Sequence, residues 1–345
     1  MNRVARLAPG LALALCLPLS LSLGASTALA NDTTAELKTG GLQYTRSDSI
    51  SMEEETLYIS PRQVRVDYVY RNTSDKPVET YVAFPMPDIA GGPEQNVDAG
   101  DIENDNFLGF TVMQDGAAIE PSLQQRVYVG ALDMTEVLRE AGVPMNPQSQ
   151  RARAALGKLP LETIENWLTR GLIIPDIYDD GSGMKTEYAP MWTLKSAYYW
   201  KTSFPVGKEI GVSHTYRPSV GSTVATTYLD ENDQPKGERY EEYRRKFCID
   251  DAFVKLARQS NELMRNNEPY LVENWMSYVL STGANWYGPI KKFTLIVDKG
   301  EEDNFVSFCG EGVKKTGPTT FEMTKTDFLP EKDLDILLLV PTGAP

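Results

Sequence analysis

The sequence predicts a mainly β chain of α+β class: antiparallel β-sandwich modules, a short three-helix insertion and one further helix. Three observations carry that expectation. Apolar and polar residues alternate with a period of two in several separate stretches, as half-buried strands do. Between residues 131 and 175 the pattern changes to short helical segments, each closed by a glycine. After residue 30 the most apolar run is "LDILLLVP", long enough for a strand and well short of the ~20 residues a membrane-spanning helix needs.

Taken in order, "MNRVARLAPGLALALCLPLSLSLGASTALAND" sets Arg3 and Arg6 before an apolar run from Leu11 to Leu23, with the small residues Ala28 and Ala30 at its end. That order reads as a secretory signal peptide cut after Ala30, leaving residues 31–345 as a periplasmic or secreted chain. The short run and Pro18 argue against an N-terminal anchor, and the bulky Leu15 argues against lipid attachment at Cys16. "MEEET" (52–56) reads as a solvated face. Beyond it Val64, Val66, Tyr68 and Tyr70 share one parity. The turn "RNTSDKP" then separates them from Val78, Thr80, Val82 and Phe84, and the two runs read as an antiparallel pair. Prolines in "FPMPDIAGG" end the pair. Asp115-Gly116 turns a second hairpin, and "QRVYV" adds a strand.

The insertion begins with "LDMTEVLREAG", where Asp133 and Glu136 have capping-box spacing. "NPQSQRARAALG" starts on an Asn146-Pro147 cap, and "LPLETIENWLTRG" is a third segment. Each is too short to hold in water alone, so all three must pack on something. β character returns in "MWTLKSAYYWKTSFP", with Trp192, Leu194, Tyr198 and Trp200 in register. It continues in "EIGVSHTYRP", with Ile210, Val212, His214 and Tyr216 in register. "TTYLDENDQPKGERYEEYRRK" reads as a polar loop running into a helical turn, and "IDDAFVKLARQSNELM" as a helix begun by Asp250. Four strands follow: "GPIKKFTLIVD", "NFVSFCG", "TTFEMTKTDF" and "DLDILLLV". The expected organisation is a signal peptide at 1–30, an N-terminal β-sandwich at 31–130 plus 190–221, a helical insertion at 131–175, and a C-terminal α+β module at 222–345.

Without the leader the chain carries 32 basic and 48 acidic residues, a net charge of −16. Such a surface repels a phosphate backbone and no basic stripe interrupts it, which argues against nucleic acid as a partner. Two cysteines remain, Cys248 and Cys309. In an exported chain an even count reads as a disulfide, worth about 4 kcal/mol for a loop of this size if chain entropy dominates. The alternative is a reactive thiol, for which no C-x-x-C spacing is present.

Several phrases resemble a bacterial secreted family known as a domain of unknown function, number 4424. They are "TGGLQYTRSDSISMEEETLYIS" (39–60), "VETYVAFPMPDI" (78–89), "GVSHTYRPSVG" (211–221), "NWYGPIKKFTLIVDK" (285–299) and "VSFC" (306–309). The resemblance implies export and a largely β fold, and it brings no assigned activity or site residues. The helical insertion and the Cys248–Cys309 pair fit the same pattern. A weaker likeness is carried by "VDYVYRNTSDKPVETYVAFPMP", "FTVMQDGAAIE" and "FPVGKEIGVSHTYRPSV". These are similar to the VIT domain, the β-sandwich of vault and inter-alpha-trypsin proteins, and imply a fold only.

His214 is the only histidine, so nucleophile–histidine–acid chemistry would have to pass through it. No G-x-S-x-G elbow accompanies it. Its place on the apolar parity of a strand fits an ordered hydrogen-bond network better than catalysis. His214, Tyr216, Trp192 and Trp200 are nonetheless the candidate ligand contacts, with Trp192, Tyr198, Tyr199 and Trp200 as the candidate sugar-stacking platform. One histidine and two paired cysteines do not make a zinc site. Asp176, Asp180 and Glu187 in "DIYDDGSGMKTE" fall at positions one, five and twelve of a calcium loop, but Tyr178 holds position three and prolines flank it. No cofactor is expected. The expected role is a non-enzymatic binding or interaction module of the cell envelope, with an envelope protein or glycan as partner. The alternative is a hydrolase acting on envelope polysaccharide or peptide through carboxylates. Two carboxyls about 5–9.5 Å apart in a cleft would mark the hydrolase. An exposed apolar patch or an open sheet edge would mark the binder.

Overall fold

The alternating stretches become two large sheets whose facing sides share one core. The computed structural model describes residues 31–38, 41–92, 97–98 and 100–343; the expected signal peptide lies outside them. Strands β1 (Thr33–Lys38) and β2 (Gly41–Thr45) pair as a hairpin, as do β3 (Ile50–Ile59) and β4 (Val64–Asn72). After β5 (Val78–Pro85) come the two-residue strands β6 (Ile89–Ala90) and β7 (Val97–Asp98). The hairpin β8 (Thr111–Gln114)–β9 (Ala117–Ile119) turns at Asp115 and Gly116, whose φ of 49° and 79° suit a two-residue loop. β10 (Ser122–Val129) and β11 (Leu132–Asp133) precede helices α1 (Thr135–Glu140), α2 (Gln150–Leu156) and α3 (Leu161–Thr169). A separate hairpin, β12 (Ile173–Asp179) with β13 (Met184–Pro190), leads to β14 (Thr193–Phe204), β15 (Glu209–Tyr216) and β16 (Val220–Ser222). Helices α4 (Glu238–Phe247) and α5 (Asp251–Arg265) follow, then β17 (Leu271–Tyr278) and a 3-10 turn at Ser281–Asn285. The chain closes with β18 (Ile290–Asp298), β19 (Phe305–Phe308), β20 (Lys314–Lys315), β21 (Thr320–Phe328) and β22 (Leu334–Pro341).

One sheet runs β11-β10-β14-β5-β1-β2 with β6 on β14; the facing sheet runs β20-β21-β18-β3-β4-β15-β8-β9. β18 lies parallel to β3, so strands from residues 290–298 and 50–59 complete the same sheet. Val64, Val66, Tyr68 and Tyr70 meet Val82, Phe84, Trp200 and Phe204 across the core. A third sheet, β19-β22-β17-β16-β7, is shared between two cores. Ile336 and Leu338 of β22 face the sandwich, while Leu337 and Leu339 face Phe247, Phe253 and Val254 of α4 and α5. A strand buried on both faces has no polar side to show, which explains the unbroken "ILLLV".

Several local expectations need correction. β4 and β5 do not pair: β4 lies between β3 and β15, and β5 between β1 and β14, in opposite sheets. The turn between them is a corner, fixed by Asn72, whose amide donates to the carbonyls of Lys76 at 2.7 Å and Phe204 at 2.8 Å. The cap of α2 is Ser149, which accepts from the Ala152 amide at 3.1 Å, rather than Asn146. Where a loop and a single helical turn were expected, α4 runs ten residues and buries Tyr240, Tyr243 and Phe247. There are thus two further helices beyond the insertion.

Helices α1 to α3 close over a small core of their own, in which Trp167 packs edge-on to Trp192 at 6.4 Å. Cys248, at the end of α4, is bonded to Cys309 just after β19, with the Cα atoms 5.1 Å apart.

Candidate functional site

Polar chemistry in this molecule concentrates inside the sandwich, and a bulge in β3 begins it. The β3–β4 register shifts between Met52 and Glu54. Ile50 and Met52 face the core before the shift; Glu55, Leu57 and Ile59 face it afterwards. One extra residue therefore turns Glu55 inward, opposite Tyr68. The "MEEET" run is not uniformly solvated, because Glu55 is fully buried while Glu54 stays exposed.

Residues just ahead of β1 complete the arrangement. The backbone N–H of Asn31 donates to Thr282 Oγ1 at 3.1 Å, and that hydroxyl donates to the Asn31 carbonyl at 3.0 Å. The Asn31 amide reaches Glu55 Oε1 at 3.4 Å, and its Oδ1 accepts from the Tyr68 hydroxyl. Trp286 Nε1 donates to the Asp32 carbonyl at 3.0 Å. Asp32 Oδ2 accepts from Tyr70 at 3.0 Å and lies 3.3 Å from His214 Nε2. Asn31, Asp32, Glu55 and His214 are all completely buried. The imidazole sits among Phe84, Tyr68, Phe110 and Trp200, with ring centroids 4.8–5.6 Å away.

Burial pushes the Glu55 carboxyl up to about 8; the neighbouring Asp32 charge adds to the rise and the Asn31 amide opposes it. Burial likewise holds the Tyr68, Tyr70 and Tyr278 hydroxyls well above their ordinary range. Two carboxylate oxygens, Asp32 Oδ1 and Glu55 Oε2, accept no hydrogen bond. Neither imidazole nitrogen makes one either, so the 3.3 Å approach to Asp32 is an ion-pair distance without hydrogen-bond alignment. A general acid or base must come within about 3 Å of the substrate proton. Groups sealed this completely are out of reach of solvent in this structure.

Of the four candidate ligand contacts, the structure gathers His214, Tyr216 and Trp200 in this core. Trp192 stands apart under the helical insertion, where its Nε1 donates to the Met145 carbonyl at 2.8 Å. All four are buried, so none turns a ring face to solvent. Asp176 and Glu187 are directly opposed across the β12–β13 hairpin. Asp180 lies in its turn, ion-paired to Lys185, and two strands flank this loop where a calcium-binding hand has helices. Among the described residues no three metal-ligating side chains converge, and no helix is long and apolar enough to cross a membrane.

A second buried carboxylate, Glu273 on β17, was also not anticipated. It accepts from the Thr227 amide and hydroxyl and, at 2.8 Å, from the Tyr243 hydroxyl of α4. Arg239 Nε donates to the same Thr227 hydroxyl at 2.9 Å. At the surface, a hollow of 470 Å³ on the insertion has Arg151 and Lys158 above Ala154, Ala155 and Leu159. An adjoining one of 350 Å³ brings Arg139, Asn146 and Asp105 to the other side of Arg151. Two others, of 290 and 360 Å³, contain Glu136 and Asp250 respectively as their only acidic side chains.

Fold and site together define a mainly β protein with a sealed polar core and a helical insertion on its surface. It belongs to the family described as domain of unknown function (DUF4424), which matches residues 30–337. No curated protein matches the chain. A crystal structure of a "putative nutrient binding protein" from Legionella pneumophila is similar at 16% identity, over 85% of this chain and 68% of that one. Its TM-score of 0.38 is too low to carry any argument about this molecule.

Proposed function

We propose that the chain is an exported, non-enzymatic binding module of the cell envelope, its partner an envelope protein or glycan. One observation carries this reading: the distribution of carboxylates. Among the described residues, Asp32 and Glu55 are sealed in the core, and none of the four hollows described above contains more than one acidic side chain. The paired-carboxylate geometry of glycoside hydrolysis therefore has no counterpart in these clefts. The hollow on the insertion has the size of a small-ligand site and is lined by Lys158 and by Arg151, whose guanidinium is ion-paired to Glu103. Export is supported by the leader pattern and by the Cys248–Cys309 bond, which persists in oxidising compartments.

The test is a melting curve of residues 31–345 against calcium, glycans and peptidoglycan fragments. A ligand at one hundred times its Kd should stabilise by about 2.7 kcal/mol. A hit that is recovered unchanged after incubation, and is lost in Arg151→Ala with Lys158→Ala, supports the small-ligand form of the proposal. Product appearing from the hit overturns it in favour of the hydrolase. A flat panel leaves a protein partner, which cross-linking in intact cells would then have to capture.

A further inference from the structure

The buried centre holds two carboxylates and only one side chain, His214, able to become a cation. Isolated charges in such surroundings are costly unless paired, and two of the four carboxylate oxygens accept nothing. The residue that ties the centre together is Asn31. Its amide touches Glu55, its neighbour in sequence is Asp32, and its backbone nitrogen is clamped by Thr282 deep in the interior. Asn31 is also the first residue after the expected cleavage site.

We infer that the α-amino group freed by cleavage after Ala30 is the cation of this centre, an internal ammonium held by Thr282 and paired with the carboxylates of Glu55 and Asp32. The inference rests on the export reading. In the processing step an exported-chain peptidase directs water onto the Ala30 carbonyl. The C–N bond breaks, the hydroxyl stays on Ala30, and the departing nitrogen takes one hydrogen from the water and a further proton from solvent. A peptide nitrogen has a single hydrogen, already given to Thr282 Oγ1. An ammonium has three, two more donors in a centre where two carboxylate oxygens accept nothing. Processing and completion of the core are then one event, and the precursor lacks an interaction that the mature chain has.

The test compares a chain beginning at Asn31, released tracelessly from a fusion, with one that keeps Ala30 in front of it; each is also made as Glu55→Gln. At neutral pH the chain beginning at Asn31 should melt higher by roughly 5 °C or more, a shift in the range expected when a buried pair is formed or broken. In the Glu55→Gln pair most of that difference should vanish. An amine-selective reagent should modify surface lysines of the folded protein while the Asn31 α-amine stays protected. Equal melting of the two chains, or labelling of Asn31 as fast as the lysines, overturns the inference. Failure of the export reading has a different signature: the protein is retained in the cytoplasm, or its N-terminal sequence begins elsewhere than Asn31. In that case the melting comparison still decides whether the pocket takes an ammonium.

Discussion

Glu55 and Glu273 are both completely buried glutamates on strands, yet their surroundings supply them with very different numbers of donors. Glu273 sits where α4 meets β17; burial raises its carboxyl above the ordinary range, and the Thr227 and Tyr243 donors that occupy both its oxygens oppose that rise. Glu55 receives one long bond from Asn31 and leaves its second oxygen bare, and its carboxyl climbs to about 8. The difference teaches that burial raises a buried acid and that the donors pointing at it set how far the rise is opposed. Glu273 is a fully partnered acid built into a joint between elements. Glu55, with residue 31 in peptide linkage, is an acid kept neutral and waiting for a cation.

The largest expected effect tests what holds the Glu273 joint together. Replacing Cys248 and Cys309 by serine frees the end of α4, the helix that supplies Tyr243 and Arg239. A loop of 61 residues should cost about 4 kcal/mol, read by denaturant unfolding. A much smaller loss would mean that the helix is held by its aromatic face alone. Next comes Glu273→Gln, which presents an amide to the Thr227 and Tyr243 donors and should cost about 1–3 kcal/mol at neutral pH. If it costs nothing, the contrast drawn between the two glutamates fails. Tyr70→Phe should follow at about 1–2 kcal/mol, since it strips Asp32 Oδ2 of its 3.0 Å donor without altering the stacked rings.

Strands with one wet face were legible in the sequence because the pattern is local: Val64 to Tyr70 and Ile210 to Tyr216 alternate visibly, and each run is buried as its parity implies. Which strand lies beside which was not legible. "RNTSDKP" has the composition of a hairpin turn, but it serves as a corner between sheets, and the pairing of β3 with β18 spans some 240 residues of sequence. Helix α4 was obscured by its charged exposed side, although Tyr240, Tyr243 and Phe247 recur at helical spacing. At the site, the aromatic and histidine parity could be read, whereas Glu55 was disguised by neighbours of its own kind. A single bulged residue changed its face, and composition does not announce a bulge. Asp32 lies two residues beyond the expected leader, where no periodicity has yet begun.

The pH dependence of stability is the most discriminating effect. In a chain that retains Ala30, folded Glu55 keeps its proton up to about pH 8, while the unfolded chain releases it near the ordinary value of 4.5. The folded state therefore binds more protons through that window, so its stability is greatest below pH 4.5 and falls as pH rises towards 8, by up to about 1.4 kcal/mol per unit from this group. Glu55→Gln should match the parent near pH 4.5 and gain on it by up to about 1.4 kcal/mol per unit as pH rises, becoming clearly the more stable protein by pH 8. In a chain beginning at Asn31 the ammonium favours the carboxylate, so the same group should lose its slope and the glutamine variant should become the weaker protein at neutral pH. Stability measured at several pH values on both chains checks the sign. A falling slope that persists in the chain beginning at Asn31 would leave Glu55 a neutral acid whatever the N-terminus, and its likeness to the fully partnered Glu273 would end at burial.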